Sequence, residues 1–64
     1  MKLPKYLMER VDEIEYTPMN DDRYEVWLKE GWVWNRDFSA VYGNNAKEIA
    51  ARLRECQQVQ DQNE

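Results

Sequence analysis

The sequence predicts a small α+β domain: an antiparallel three- to four-stranded sheet, a C-terminal helix packed on one face, and a short N-terminal helix. Three observations carry this. Aromatic and β-branched residues alternate with charged ones through residues 23–34, the period of a strand. Ile49, Leu53 and Cys56 recur at helical spacing near the C-terminus. The 64 residues are 42% hydrophobic and 34% charged with 2 Gly and 2 Pro, a globular composition with room for one core.

The elements follow in order. Pro4 suits the first turn of a helix, where its fixed φ and missing N–H cost nothing. Leu3, Leu7, Val11 and Ile14 recur at helical spacing, but Glu9 and Glu13 would repel one turn apart, and Ile14 alternates with Tyr16. A short helix over 4–10 running into a strand over 11–17 fits both signals, with one helix over 4–15 as the alternative. Thr17-Pro18 forces extended backbone and ends either element. Met19-Asn-Asp-Asp22 is a turn, since Asn and Asp side chains satisfy local backbone groups.

Arg23-Tyr-Glu-Val-Trp-Leu-Lys-Glu-Gly-Trp-Val-Trp34 reads as a hairpin about Glu30-Gly31. A two-residue loop there would set Lys29 opposite Trp32, Leu28 opposite Val33 and Trp27 opposite Trp34. One face would then hold Trp27, Trp32 and Trp34 with Glu25 and Lys29, and the other Tyr24, Val26, Leu28 and Val33. A three-residue loop with a bulge would reshuffle that assignment. Asn35-Arg-Asp37 is a further turn and Phe38-Ser-Ala-Val-Tyr42 a further short strand, which Gly43-Asn44-Asn45 breaks. Asn45 can cap the last helix, with Glu48 as the capping-box acid. Within it Ala46 and Ala50 flank the apolar stripe, and Glu48 and Arg52 stand one turn apart as a surface pair. The domain is thus expected over 1–56, followed by a polar, disordered tail over 57–64.

Composition closes several kinds of chemistry. There is no His, which removes histidine bases, histidine metal sites and Ser-His or Cys-His pairs. One Cys allows neither an internal disulfide nor a Cys-rich zinc site, and fits a reducing cytoplasm. Its place on the apolar stripe, far from the helix N-terminus, makes Cys56 structural rather than reactive. Nine Lys and Arg, scattered from Lys2 to Arg54, face 13 Asp and Glu, for a net charge of −4. Phosphate-backbone binding runs on clustered cations, so nucleic acid is disfavoured as a partner, and base stacking on the aromatics lacks its basic groove. The first residues lack the apolar core of a signal peptide, and no stretch approaches the ~18 apolar residues of a membrane span. A cytoplasmic protein is expected. Asp21 and Asp22 could in principle share a magnesium ion, but no calcium-loop spacing, glycine-rich phosphate loop or nucleophile elbow accompanies them. No catalytic, cofactor-binding or metal-binding residue is assigned.

The aromatic cluster is the feature left to explain. Trp27, Trp32 and Trp34 can be core, packed under the alanines of the last helix. They can equally form a platform flanked by charge, and Trp and Arg dominate interface hot spots. A sheet with two apolar faces needs two covers, and the chain supplies one substantial helix. The candidate protein interface is therefore Trp27, Lys29, Trp32, Trp34 and Arg36.

The opening Leu3-Pro4-Lys5-Tyr6 and the run Asp22-Arg-Tyr-Glu-Val-Trp-Leu-Lys-Glu-Gly-Trp32 resemble a group of short proteins from tailed bacteriophages and prophages. In these a brief Leu-Pro-x-Tyr helix precedes an aromatic Lys-x-Gly-Trp hairpin and a closing helix. The likeness spans about residues 3–55, though this chain lacks the group's His near the fourth strand. The group carries no established activity, so no residue role transfers. It implies a bacterial or phage source and a small accessory protein that binds a host or phage component. The expected function is non-catalytic protein–protein interaction with a host or phage protein. The alternatives are an acidic inhibitor that mimics nucleic acid, drawing on Asp12, Glu13, Glu15, Asp21 and Asp22, and a homodimeric structural protein.

Overall fold

The computed structural model describes residues 2–19 and 23–59. In chain order it contains α1 (Lys5–Met8), β1 (Val11–Thr17), β2 (Arg23–Leu28), β3 (Trp32–Val33), β4 (Ala40–Gly43), α2 (Ala46–Arg54) and β5 (Gln57–Gln58). The fold is α+β, as expected. β1, β2 and β4 form an antiparallel sheet in that order, and β3 pairs with β5 in a second, two-stranded sheet. The expected turn over 20–22 lies outside the described residues, as does the Asp21–Asp22 pair.

The helix-then-strand assignment at the N-terminus holds. Met8 and Leu7 donate their N–H groups to the Pro4 carbonyl at 3.1 and 3.0 Å, and the chain turns into β1 two residues after α1. β1 explains why its apolar residues mimic a helix. Val11 pairs with Leu28 and Glu13 with Trp27, so Asp12 is an extra residue, a β-bulge. The bulge lets Val11 and Ile14, three apart, both face the core, where strict alternation would separate them.

The hairpin about Glu30-Gly31 is corrected. A turn is there, with the Trp32 N–H donating to the Lys29 carbonyl at 3.0 Å. But positive φ falls on Gly31 (95°), the second central residue, and not on Glu30. That is the sense of a type II turn, whose twist splays the flanking strands instead of pairing them. β2 pairs instead with β1, Tyr16 opposite Tyr24 and Ile14 opposite Val26, and with β4, Val26 opposite Val41 and Trp27 opposite Ala40. Neither Trp27–Trp34 nor Leu28–Val33 is a cross-strand pair. The tight hairpin of this region lies one turn later. Trp34 and Phe38 exchange both backbone hydrogen bonds, at 2.8 and 3.0 Å, around Asn35 and Arg36, whose φ angles are both positive (52° and 85°).

α2 lies across the inner face of the main sheet. Asn45 Oδ1 accepts the Glu48 N–H at 2.9 Å, and Glu48 Oε1 accepts the Asn44 N–H at 2.9 Å, one residue before the position a capping box uses. The expected Glu48–Arg52 ion pair gives way to this cap, and Arg52 Nη1 donates to the Glu48 carbonyl instead. Ile49 and Leu53 of α2 form a fully buried core with Leu7, Val26 and Val41, joined by Val11, Leu28, Ala50 and Cys56. Gly43 admits the helix: a Cβ there would stand 3.0 Å from Cδ1 of Ile49, which is itself fully buried.

The tail is corrected in part. Gln57 and Gln58 pair with Val33 and Trp32, and the Val59 N–H donates to the Gly31 carbonyl at 2.7 Å. The folded unit therefore runs past residue 56 to at least 59. The remainder of the expected tail, 60–64, lies outside the described residues.

Candidate protein-docking face

Among the described residues, a helix covers only one of the two faces of the main sheet. Residues paired across antiparallel strands share a face, so the outer face can be read in rows. The first row is Glu13, Trp27 and Ala40, the second Glu15, Glu25 and Tyr42, and the third Thr17 and Arg23. Carboxylates hold the β1 side and aromatics the β4 side. The 34–38 hairpin closes over one end, bringing Trp34 and Phe38 beside Trp27 with Trp34 and Phe38 ring centroids 5.9 Å apart.

The result is a cleft of about 330 Å³ lined by Trp27, Trp34, Phe38, Ser39, Ala40 and Tyr42. Ala40 is its buried floor, whereas Phe38 is 51%, Tyr42 39% and Trp27 37% exposed. Large rings left in water on a contiguous patch mark an interaction surface far better than scattered ones. The Arg23 guanidinium lies 4.4 Å from the centroid of Tyr42 and ends the face on that side. Glu13, Glu15 and Glu25 make no ion pair or side-chain hydrogen bond among the described residues.

The structure distributes the five candidate interface residues over four places. Trp27 and Trp34 meet in the cleft. Arg36 lines a neighbouring polar groove of about 280 Å³ with Trp34, Asn35, Glu55 and Gln57, where Trp34 Nε1 donates to Glu55 Oε1 at 3.1 Å. Lys29 is exposed at the turn that leaves β2. Trp32 leaves the cleft altogether, so the single face of three Trp expected from the hairpin does not form. It packs against the core under the Arg10 guanidinium, 4.4 Å from its ring centroid.

Sequence reasoning missed two things here. Phe38, Ala40 and Tyr42 share one parity, which puts them on one face of a strand, and that signal was available. Arg10 gave no signal. Its Nη1 donates to the Leu53 carbonyl at 2.7 Å, its guanidinium stacks on Trp32, and its own carbonyl accepts the Lys29 N–H at 2.8 Å. One residue, through its side chain and its backbone carbonyl, thus joins the start of β1, the end of α2 and the turn after β2. Cys56 is buried beside it and its Sγ lies 3.5 Å from the Arg52 carbonyl. Burial raises the thiol pKa, the Arg10 charge opposes this, and Glu55 adds to it.

What the fold and face define is an α+β domain with one sheet face closed by a helix and one open and aromatic. Compared with protein-family models, curated proteins and solved structures, the chain matches none. No helix among the described residues is long and apolar enough to cross a membrane.

Proposed function

We propose that the protein is a non-catalytic protein-binding module, an accessory protein of phage or prophage type acting in the cytoplasm, and that the outer sheet face is its contact surface. The observation that carries this is the cleft itself: Trp27, Phe38 and Tyr42 are exposed together on a face that no helix covers among the described residues. Buried aromatic anchors surrounded by a polar rim supply most of the energy of protein interfaces. The source and the accessory role are suggested by the likeness of residues 3–55 to short phage proteins.

The test is capture from nuclease-treated bacterial lysate by the tagged protein, by its Phe38→Ser variant and by a Tyr6→Ser control, at low and high salt. Phe38 lies in the cleft, while Tyr6 is exposed elsewhere, hydrogen-bonded to Arg54. A docking face predicts proteins retained by wild type and Tyr6→Ser at both salts and lost with Phe38→Ser. Retention that ignores Phe38→Ser would reject the face. The mimic of nucleic acid remains a second reading because Glu15 and Glu25 stand directly opposite each other on the same face. It would use the carboxylates alone, so its binding would vanish with salt and survive Phe38→Ser.

A further inference from the structure

We infer that the open face takes an arginine-bearing segment of its protein partner, with a guanidinium seated on Trp27 beside the carboxylates of Glu13 and Glu25. This rests on the face being a docking surface and adds the chemistry of what docks. Charge complementarity is the first ground. Glu13 is the cross-strand neighbour of Trp27, Glu25 precedes it by two on the same face, and Glu15 lies opposite Glu25. Like charges directly across a strand pair destabilise a sheet, and none of the three carboxylates meets a cation among the described residues. An occupant that brought a cation would relieve that repulsion. An apolar occupant would instead strip water from the carboxylates with nothing in return. A phosphate-bearing one would meet like charge.

The second ground is how the protein itself uses guanidinium groups. Arg10 stacks on Trp32 and Arg23 on Tyr42, each 4.4 Å from the ring centroid. Trp27 and Phe38, exposed in the cleft, carry no such group among the described residues. Of the cations near the face, Arg23 is already seated on Tyr42, and Arg36 lines the separate groove with Glu55. Arginine is favoured over lysine because its planar head both stacks on an indole and presents a fork to a carboxylate.

The experiment titrates the ¹⁵N-labelled protein with blocked hexapeptides of alternating Gly and Arg, Gly and Lys, or Gly and Leu. The Arg peptide is expected to shift the Trp27 indole N–H and the Ala40 and Tyr42 amides in a saturable way. The Lys peptide should bind the same place at least about three-fold more weakly. Replacing both carboxylates (Glu13→Gln with Glu25→Gln) should weaken the Arg peptide by about five-fold or more while the rest of the spectrum stays unchanged. Equal binding of Arg and Lys peptides would overturn the guanidinium assignment. A Leu peptide that moves the same resonances as strongly, unaffected by the Gln changes, would overturn the cationic occupant but leave the docking face standing. No saturable shift with any of the three would overturn both.

Discussion

Arg10 links segments that nothing in its local sequence ties together. Its charged hydrogen bond to the Leu53 carbonyl, which also accepts the Cys56 N–H at 3.2 Å, reinforces the end of α2, and its stacking on Trp32 adds a cation–π contact. Arg10→Ala is expected to destabilise the protein by about 2 kcal/mol, and Arg10→Lys to restore less than half of that, measured by urea unfolding. Arg36 points the other way. At φ 85° it occupies a backbone conformation that glycine adopts freely and a side chain with a Cβ does not. Arg36→Gly is therefore expected to stabilise by about 0.5–1 kcal/mol in the same assay. Cys56 adds a pH dependence. Its thiol pKa is raised in the folded protein, so the unfolded chain loses the thiol proton first as pH rises. The stability from burying the neutral thiol is intact below the ordinary thiol value and falls off above it. From about pH 9 upward, wild type should lose stability faster than Cys56→Ala. The apolar stripe of Ile49, Leu53 and Cys56 was plain in the sequence because a helix against a sheet enforces that spacing. Arg10 was not, since a lone arginine after a short helix has the same local pattern whether it is solvated or packed.

At the scale of elements, pattern revealed what each segment is but not always what it touches. The strand over 11–17, the turn at Glu30-Gly31, the fourth strand and the Asn45 cap all follow from local chemistry, and all are present. Strand pairing depends on turn handedness, which the Glu30-Gly31 dipeptide leaves open: glycine at the second central position suits a type II turn that splays strands. The paired residues of the C-terminal segment were hidden for a related reason. Gln57 and Gln58 have no apolar signal, and they are ordered by backbone bonds to a strand of two residues. Val59→Pro removes the N–H that reaches the Gly31 carbonyl at 2.7 Å. It is expected to cost about 1 kcal/mol and to speed hydrogen exchange at Trp32 and Val33, leaving exchange in β1, β2 and β4 as it was. Uniform acceleration through both sheets would show that β5 is integral to the main core.

The whole molecule is asymmetric. One sheet face is sealed by α2 over Leu7, Val26, Val41, Ile49 and Leu53, and the other presents exposed rings beside a bank of carboxylates. The expectation of two apolar sheet faces was half legible, since Trp27 and Tyr42 do stand outward, but the outer face is mixed, with its charge on the β1 side. That mixture bears on which partner closes it. Two copies meeting face to face would bring two banks of carboxylates into one interface of low dielectric, which opposes self-association. The proposed docking role requires that the face be free in the isolated protein and bind a different molecule. Sedimentation equilibrium of wild type and Phe38→Ser, over about two decades of concentration at low and high salt, decides whether the face is free. A monomer for both proteins under every condition is the predicted result. A concentration-dependent wild-type dimer that Phe38→Ser dissolves would contradict it and make the aromatic face the protein's own interface.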